Sequence, residues 1–257
     1  MFSRRDPRMN RGRVSGCTIP SLPLVNSGTL AWRVRGNLGY VLNGAGLSAW
    51  SDQSGRNKNV SQSTPSKQPV HDQINGRTSV RFDGSADSLG SSAGNTGADW
   101  VFMHDGTGVT IFCVLVNRES AGGGAVAETA NVGTDIGALL RVSSTTVAFD
   151  VTNGVTTVLT ISGAISTGVP NYATVRCNDA LATDAQIRIN GVQVATANKS
   201  GAFSVSDATY GVHLGSNNAS TASFFDGSIG EVLIYDGDLS DSDILLVEAY
   251  IKNYWII

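Results

Sequence analysis

The segment from Phe225 to the C-terminus constrains the fold more than any other part of this chain. Asp226-Gly227 signals a turn, the apolar run after it predicts a strand, and a second turn signal closes that strand at residues 236–238. Ser240 then stands where a helix N-cap is needed, with Asp243 in the first turn. Apolar residues recur at three- and four-residue intervals along the predicted helix: Ile244, Val247, Ile251, Tyr254 and Trp255. A helix with one apolar stripe needs a sheet or a sheet edge to cover.

Short strands separated by turns fill most of the remaining sequence. Asn-Gly pairs beginning at Asn153 and Asn190 predict two-residue hairpin turns, because Asn-Gly tolerates the positive φ of a type I′ turn. Residues 109–117 are apolar on both faces, which predicts a central strand buried between two sheets. Residues 51–79 are polar and are predicted to form a long loop or a set of turns. The other predicted strands span residues 30–35, 79–82, 124–128, 136–142, 146–151, 155–161, 172–178, 186–190 and 192–196.

Length and residue usage agree with an all-β protein. A chain of 257 residues holds one large sandwich or two small domains, and 30 glycines against 6 prolines favour many tight turns. Three widely spaced cysteines predict neither a disulfide framework nor a metal knuckle. The N-terminus lacks the apolar stretch of a signal peptide, and no window is apolar enough to span a membrane. We therefore expect a soluble protein with no membrane partner.

Charge is distributed unevenly along the chain. Residues 1–35 contain seven arginines and one acid, a local charge of +6, whereas the remainder carries −9. This asymmetry predicts a basic docking arm at residues 1–28, followed by one domain at residues 29–257. The predicted docking residues are Arg4, Arg5, Arg8, Arg11 and Arg13. The arm would bind an acidic neighbour or a second copy of the chain. Nucleic acid is a poorer partner, because few aromatic residues are interleaved with the arginines.

Five motifs occur in an order that resembles the laminin-G-like branch of the concanavalin A-like lectin/glucanase superfamily. They are Trp-Ser-Asp-x-Ser-Gly at 50–55, Arg-Phe-Asp-Gly at 81–84, a central strand at 110–116, a hairpin at 186–194, and Gly-x-Ile-x-Glu-x-x-x-Tyr at 227–235. The resemblance runs from about Thr29 to the C-terminus. It implies an all-β, concanavalin A-like jelly-roll sandwich of two antiparallel sheets, with one short C-terminal helix and an extended N-terminal arm.

The sequence offers no catalytic constellation. A glycosidase needs two carboxylates about 5 to 9 Å apart, but Glu231 and Asp236 lie an odd step apart on one strand and so point to opposite faces. Three scattered histidines, His71, His104 and His213, fit neither a nucleophilic triad nor a zinc site. We expect no enzyme, and an endo-acting glycosidase is the least favoured of three functions.

Two ligand sites are implied by the resemblance. Relatives hold calcium at a loop rim, for which Asp83, Asp87 and Asp226 would supply oxygen ligands, although Asp-Gly is also an ordinary hairpin signal. No other cofactor is expected. Glycan binding would use exposed aromatic residues beside amides, although buried core aromatics are equally expected. The candidate platform is Trp100, Tyr210, Asn217 and Asn218.

These observations favour a non-enzymatic structural or interaction protein of a phage virion. It would decorate the capsid shell or another particle surface, anchored by the arm, and would assemble in the host cytoplasm without a signal peptide. The alternative is a lectin-like module that binds cell-surface polysaccharide on a phage tail, on a bacterial surface or outside the cell.

Overall fold

The computed structural model of the chain describes residues 20–120, 123–131, 133–217 and 222–257. Within these ranges the chain forms seventeen strands and one α-helix. The strands are β1 (Thr29–Arg35), β2 (Tyr40–Asn43), β3 (Gly46–Trp50), β4 (Val60–Ser61), β5 (Val70–Ile74), β6 (Arg77–Asp83), β7 (Gly90–Ser91), β8 (Val109–Asn117), β9 (Gly123–Glu128), β10 (Ile136–Ser143), β11 (Thr146–Asn153), β12 (Thr157–Ala164), β13 (Pro170–Cys177), β14 (Ala185–Ile189), β15 (Val192–Ala197), β16 (His213–Leu214) and β17 (Asp226–Asp236). The helix, α1, spans Asp241–Trp255.

The strands form two antiparallel sheets. The larger runs β15-β14-β13-β8-β17-β6-β5-β3-β4-β7, with β1 beside β17 and β2 beside β3. The smaller runs β12-β11-β10-β9-β16. Side chains from both sheets form one core cluster between them, from Trp32, Ile111 and Val232 of the larger sheet to Leu140 and Phe149 of the smaller. The predicted all-β sandwich with a C-terminal helix is confirmed.

Strand β8 is buried on both faces, but one of its two covers differs from the prediction. Ile111, Cys113 and Leu115 point into the core between the sheets. Phe112 and Val114 point the other way, into a second cluster that α1 forms with the outer face of the larger sheet. The prediction placed a sheet on each face of β8. The structure instead covers one face with the smaller sheet and the other with α1, so both faces of the strand are apolar.

The cap and the apolar stripe of α1 lie where the sequence places them. The Ser240 hydroxyl accepts a hydrogen bond from the Asp243 backbone N–H at 3.2 Å, and the stripe packs on the larger sheet. Beneath the helix lies Glu231, which is 1% exposed. The Arg33 guanidinium contacts its Oε1 at 2.7 Å, and the Trp255 indole Nε1 donates to its Oε2 at 3.0 Å. This buried network fixes α1 against the sheet.

Two of the four Asn-Gly pairs in the β region form the expected turn geometry. Asn190 and Gly191 have φ of 51° and 85°, and they join β14 to β15. Asn75 and Gly76, with φ of 49° and 77°, join β5 to β6 within the segment predicted as loop. At Asn153 the prediction is wrong: only Gly154 has positive φ, and the Asn153 Oδ1 instead accepts the N–H groups of residues 155 and 156. That side chain closes a longer connection in place of a two-residue turn.

The segment 51–79 holds more regular structure than predicted. It contains β4, β5 and the start of β6. Strand β5 was missed because its sequence, Val-His-Asp-Gln-Ile, is mostly polar and its first two side chains are exposed. Strands β2 and β3 were likewise not predicted.

The chain enters the sandwich along α1. Leu22 and Val25 pack against the helix-side cluster. The Ser27 hydroxyl donates to Asp243 Oδ2 at 2.5 Å and accepts the Ser240 N–H at 2.7 Å. The last residues of the predicted arm thus bind the helix N-terminus of their own domain. Within the described ranges no helix has the length and apolar character needed to cross a membrane.

Candidate functional site

The outer face of the smaller sheet carries an unusual concentration of polar side chains. In β10 the side chains of Ala138, Leu140 and Val142 belong to the core cluster. Alternation along a strand therefore directs Leu139 and Arg141 to the opposite, outer face. These two side chains define the outer face of the smaller sheet.

Strand register aligns five residues of this face in a row across the sheet. Leu139 pairs with Glu128 on one side and with Asp150 on the other. Glu128 in turn pairs with His213, and Asp150 pairs with Thr160. Directly paired residues of antiparallel strands present their side chains on the same face. These residues therefore form one row across all five strands. We call it the polar row, and its members are His213, Glu128, Leu139, Asp150 and Thr160.

Asp150 is the anchored member of the polar row. Its carboxylate accepts hydrogen bonds from Arg141 Nε and, at 3.3 Å, from Arg141 Nη2. The Thr160 hydroxyl donates to its Oδ1 at 2.6 Å. Asp150 is 1% exposed, whereas 37% of the Arg141 side chain is exposed. The guanidinium thus lies over the carboxylate and neutralises it.

A cleft of about 300 Å³ opens on this face beside the polar row. That volume lies at the lower end of the range found for small-molecule sites. Glu128, Leu139 and Arg141 line it from the sheet, with the backbone of Gly123 and Gly124 at one end. Three further polar residues complete the wall: Asn131, Asn217 and Ser223. Amides, a hydroxyl, a guanidinium and a small apolar floor can hydrogen-bond and pack against a sugar ring.

The polar row contains a carboxylate pair that sequence spacing did not reveal. Glu128 and Asp150 share one face, two strands apart, which places their backbones about 9.6 Å from each other. That separation approaches the upper limit for inverting glycosidases. Both residues are 1% exposed, and Asp150 is held by Arg141 and Thr160. The arrangement suits a fixed binding floor better than a general acid and base that must reach a substrate.

The predicted aromatic platform is corrected by burial. Trp100 is 1% exposed, its Nε1 donates to Asn95 Oδ1 at 2.8 Å, and its ring packs edge-on against Trp32 with centroids 6.0 Å apart. A ring enclosed in the core cannot stack on a sugar. Tyr210 is half-buried, and its backbone N–H bonds to the carbonyl of Thr129. Asn217 is the predicted residue that does line the cleft. Asn218 lies outside the described residues.

The predicted calcium ligands are neighbours but are engaged elsewhere. Asp83 pairs with Asp226 across β6 and β17, and Asp87 Oδ2 accepts the Asp83 N–H at 3.1 Å. Partial burial opposes ionisation of Asp83, but hydrogen bonds from the Ser85 hydroxyl and from three backbone N–H groups outweigh it and lower its pKa to about 2. Asp226 Oδ1 pairs with Arg81 Nη2 at 2.5 Å. These carboxylates serve turn closure and an ion pair, so they do not fit a calcium site.

Histidines and docking arginines add no further site to the described structure. His71 stacks edge-on with Tyr40, His104 bonds to the Ser206 carbonyl, and His213 bonds to the Gly211 carbonyl. In the part of the chain that the structure describes, no three His, Cys, Asp or Glu side chains come together to hold a metal ion. The predicted docking residues Arg4, Arg5, Arg8, Arg11 and Arg13 lie outside that part.

A smaller groove of about 180 Å³ lies on the opposite side of the molecule, between α1 and β13–β15. Its two cations are already paired. Arg176 contacts Asp238 and Asp241 at 3.3 and 2.9 Å, and Arg188 contacts Glu248 at 2.8 Å. These ion pairs attach the helix to the sheet edge and leave few groups for a ligand.

Comparison with known proteins agrees with the architecture. A family model described as the concanavalin A-like lectin/glucanases superfamily, laminin-G type, matches residues 107–245, more than half of the chain. No curated protein matches the chain in sequence. The receptor binding domain of botulinum neurotoxin C/D mosaic serotype superposes with a TM-score of 0.63 at 11% identity, covering 86% of this chain and 51% of that chain.

Other solved structures give the same result. The botulinum neurotoxin serotype D binding domain superposes with a TM-score of 0.60 at 13% identity, covering 86% of this chain and 50% of its own. Trypanosoma rangeli sialidase in complex with sialic acid reaches 0.56 at 12% identity, covering 90% of this chain and 35% of that one. The chain spans about half the length of the neurotoxin domains. At such identities the likeness shows a shared fold only.

Proposed function

The chain belongs to the concanavalin A-like lectin/glucanase superfamily, and we propose that it is a lectin-like module that binds a surface carbohydrate without cleaving it. The cleft beside the polar row carries this proposal. It combines amide, hydroxyl and guanidinium groups around a small apolar floor on a rigid sheet. Directed polar groups on a preformed concave surface favour recognition of sugar hydroxyls.

The absence of hydrolysis is part of the same proposal. The two carboxylates of the polar row are covered, and one is neutralised by Arg141. The neurotoxin structures are named as binding domains, which supports a binding role for a chain of the same fold but does not identify its ligand.

Glycan binding and its location are tested together. Screening the full chain against a glycan array, followed by calorimetry on the best ligand, should find saturable binding. Asn217→Ala should weaken binding about tenfold, because one hydrogen-bonding amide leaves the cleft wall. Asn198→Ala, at an exposed position outside the cleft, is the matched control. Equal loss in both variants, or no glycan bound at all, contradicts the proposal. Release of reducing sugar would show that the chain is an enzyme.

Attachment to a phage particle is a second proposal, supported by charge. Residues 1–35 carry +6 and the remainder −9, a pattern that favours docking of the arm on an acidic surface. Replacing Arg4, Arg5 and Arg8 by Ser in the full chain should reduce co-sedimentation with capsid shells. Full retention on the shells would remove the arm from this role. An equal loss of charge at Arg56, Lys67 and Lys252, all outside the arm, is the control.

A further inference from the structure

Both sheets of the sandwich end on the same side of the molecule. Strand β12 is a terminal strand of the smaller sheet, and β15 is a terminal strand of the larger one. The two strands lie one over the other, because a Cβ on Gly163 of β12 would be 2.7 Å from Val194 Cγ2 of β15. This side of the sandwich therefore carries two strand edges together.

Two backbone hydrogen bonds show which groups of β12 point outward. The Ile165 N–H donates to the Thr145 carbonyl at 2.9 Å, on the side of β11. The Val158 carbonyl accepts the Ser200 N–H at 2.7 Å on the opposite side. Backbone groups of successive residues point to alternate edges of a strand. The N–H and C=O groups of residues 160, 162 and 164 therefore point away from β11, and no strand of the described structure pairs with them.

This edge lacks the features that usually keep a strand edge from pairing, which are Lys, Pro, inward-pointing charges and bulges. Residues 159–164 read Leu-Thr-Ile-Ser-Gly-Ala, and they pair with β11 without a shift in register. Residues 151–175 contain no Asp, Glu, Lys or Arg, although charged residues make up 15% of the chain. The outward groups of β12 are therefore open to a further strand.

The rim of the larger sheet beside this edge is apolar. Val192 and Val194 of β15 are 64% and 48% exposed. Strand β15 is itself less suited to pairing, because its register with β14 shifts at Val194. Depletion of charge together with exposed apolar side chains is typical of the centre of a protein interface. We call residues 159–164 with Val192 and Val194 the neutral edge.

We propose that the neutral edge pairs with the neutral edge of a second copy of the chain, about a two-fold axis that passes perpendicular to the sheet at Ser162. Ser162 then lies opposite Ser162 of the partner subunit, and Thr160 lies opposite Ala164 of the partner subunit. All three outward residues exchange backbone hydrogen bonds in this register.

The side chains of the neutral edge suit a second copy. On the core side of β12, Ile161 lies opposite Gly163 of the partner subunit, so the bulky side chain meets the residue without one. The small outward-face side chains of Ser162 and Ala164 allow close approach. Because the edge carries no charge, identical copies meet without like-charge repulsion.

The pairing would join two five-stranded sheets into one continuous sheet. An axis perpendicular to the sheet keeps both outer faces on the same side, so both clefts would open in one direction. Their β10 strands would be five strand spacings apart, or about 24 Å. Two such clefts would bind a repetitive glycan surface with avidity. That consequence rests on the proposed function, whereas the pairing itself does not.

Sedimentation velocity of the full chain measures the pairing. Small interfaces bind weakly, so we expect a dimer at about 100 μM chain that dissociates on dilution to about 1 μM. A chain that remains monomeric at the higher concentration overturns the proposal.

Charge placed at the two-fold axis tests the register. Ser162→Lys and Ser162→Glu should each weaken the dimer at least about tenfold, because like charges then face each other. An equimolar mixture of the two variants should restore it, because opposite charges meet. The same two substitutions at Val41 are the matched control and should change nothing. Val41 is 54% exposed on β2, towards the other end of the larger sheet.

The variants can fail the proposal in two ways. A dimer that survives both Ser162 substitutions overturns it, and so does a loss that the mixture does not restore. Circular dichroism checks that each variant folds, and Val194→Lys at the rim, which should also weaken the dimer, replaces a variant that does not. Failure of the chain on every glycan would overturn the proposed function and leave the pairing intact.

Discussion

The indole Nε1 of Trp255 donates a hydrogen bond to Oε2 of Glu231 at 3.0 Å, which joins the last residue of α1 to the middle of β17. The same carboxylate accepts the Tyr250 hydroxyl at 3.0 Å and the Arg33 Nε at 2.9 Å. One buried glutamate of the last strand thus accepts hydrogen bonds from the first strand and from the helix. Glu231, whose spacing from Asp236 argues against a catalytic pair, therefore has a structural role.

Removal of this carboxylate should be costly. Glu231→Ala leaves a buried guanidinium, a phenol and an indole N–H without their acceptor, and we expect a loss of about 3 to 5 kcal/mol in the free energy of unfolding. Urea denaturation followed by Trp fluorescence measures it. Asp207→Asn, at an exposed position, should change stability by less than about 0.5 kcal/mol. A comparably small effect of Glu231→Ala would show that the network contributes little.

Close packing beneath the same tryptophan gives a second prediction. A Cβ on Gly230 would lie 2.9 to 3.1 Å from three atoms of the Trp255 ring. Gly230→Ala should therefore displace the ring and cost about 1 to 3 kcal/mol, as overpacking does in other cores. The near-ultraviolet circular dichroism of Trp should change as well. An unchanged spectrum and melting temperature would mean that the helix end adjusts freely.

Asn190 and Asn153 differ in what an alanine would lose. Asn190 has φ of 51°, and its Oδ1 accepts the Tyr172 N–H at 2.9 Å. Asn190→Ala combines left-handed strain with a lost hydrogen bond, for an expected cost of about 1 to 3 kcal/mol. Asn153→Ala is the matched control: it lacks the strain, and the bonds that it loses are exposed. Thermal unfolding should rank Asn190→Ala well below Asn153→Ala, and the reverse order would contradict this account.

Asp87 should make the protein more stable in mild acid. Burial, together with the charge of Asp83, raises the pKa of Asp87 from 3.8 to about 6. Because the folded-state pKa is the higher one, the ionised carboxylate is disfavoured by folding. The penalty is complete above pH 6 and disappears as the pH falls towards 4. Asp87→Asn should therefore stabilise the protein at pH 7, by about 1 to 3 kcal/mol.

The measurement is the difference between Asp87→Asn and the unmodified chain across pH 7 to 4. A difference is needed because the buried histidines His104 and His213, whose pKa values are lowered, affect stability with the opposite sign over the same range. The gap between the two proteins should close as the pH falls. A gap independent of pH would show that Asp87 does not titrate as stated.

Local patterns were sufficient to predict most of the fold. The stripe on α1, the double-faced apolar run of β8 and the Asn190-Gly191 turn each depend on residues adjacent in sequence. Strand β5 was not predicted, because most of its side chains are polar and its strand conformation depends on pairing with β6. Nothing local to Asn153 indicates that its side chain would close a longer turn.

The candidate site was harder to predict, because its residues come together only through the register in which the strands pair. Glu128 and Asp150 are distant in sequence and become neighbours of Leu139 only through two strand pairings. Counting from the hairpin that joins β10 to β11 would have aligned Leu139 with Asp150, but the partner of Glu128 depends on a bulge in the pairing of β9 with β10. The prediction that Trp100 is an exposed platform for a sugar is wrong, because tryptophan is as common in a protein core as on a binding surface. Which of the two holds depends on burial, and burial depends on the whole fold.

The route by which the chain enters the sandwich determines which side of the molecule its N-terminal segment occupies relative to the cleft. Residues 22–28 run along α1 on the outer face of the larger sheet, while the cleft opens on the outer face of the smaller one. The side along which the chain enters and the side that carries the cleft are therefore back to back, with the core between them. A surface that held the chain ahead of Thr29 would leave the cleft facing outward.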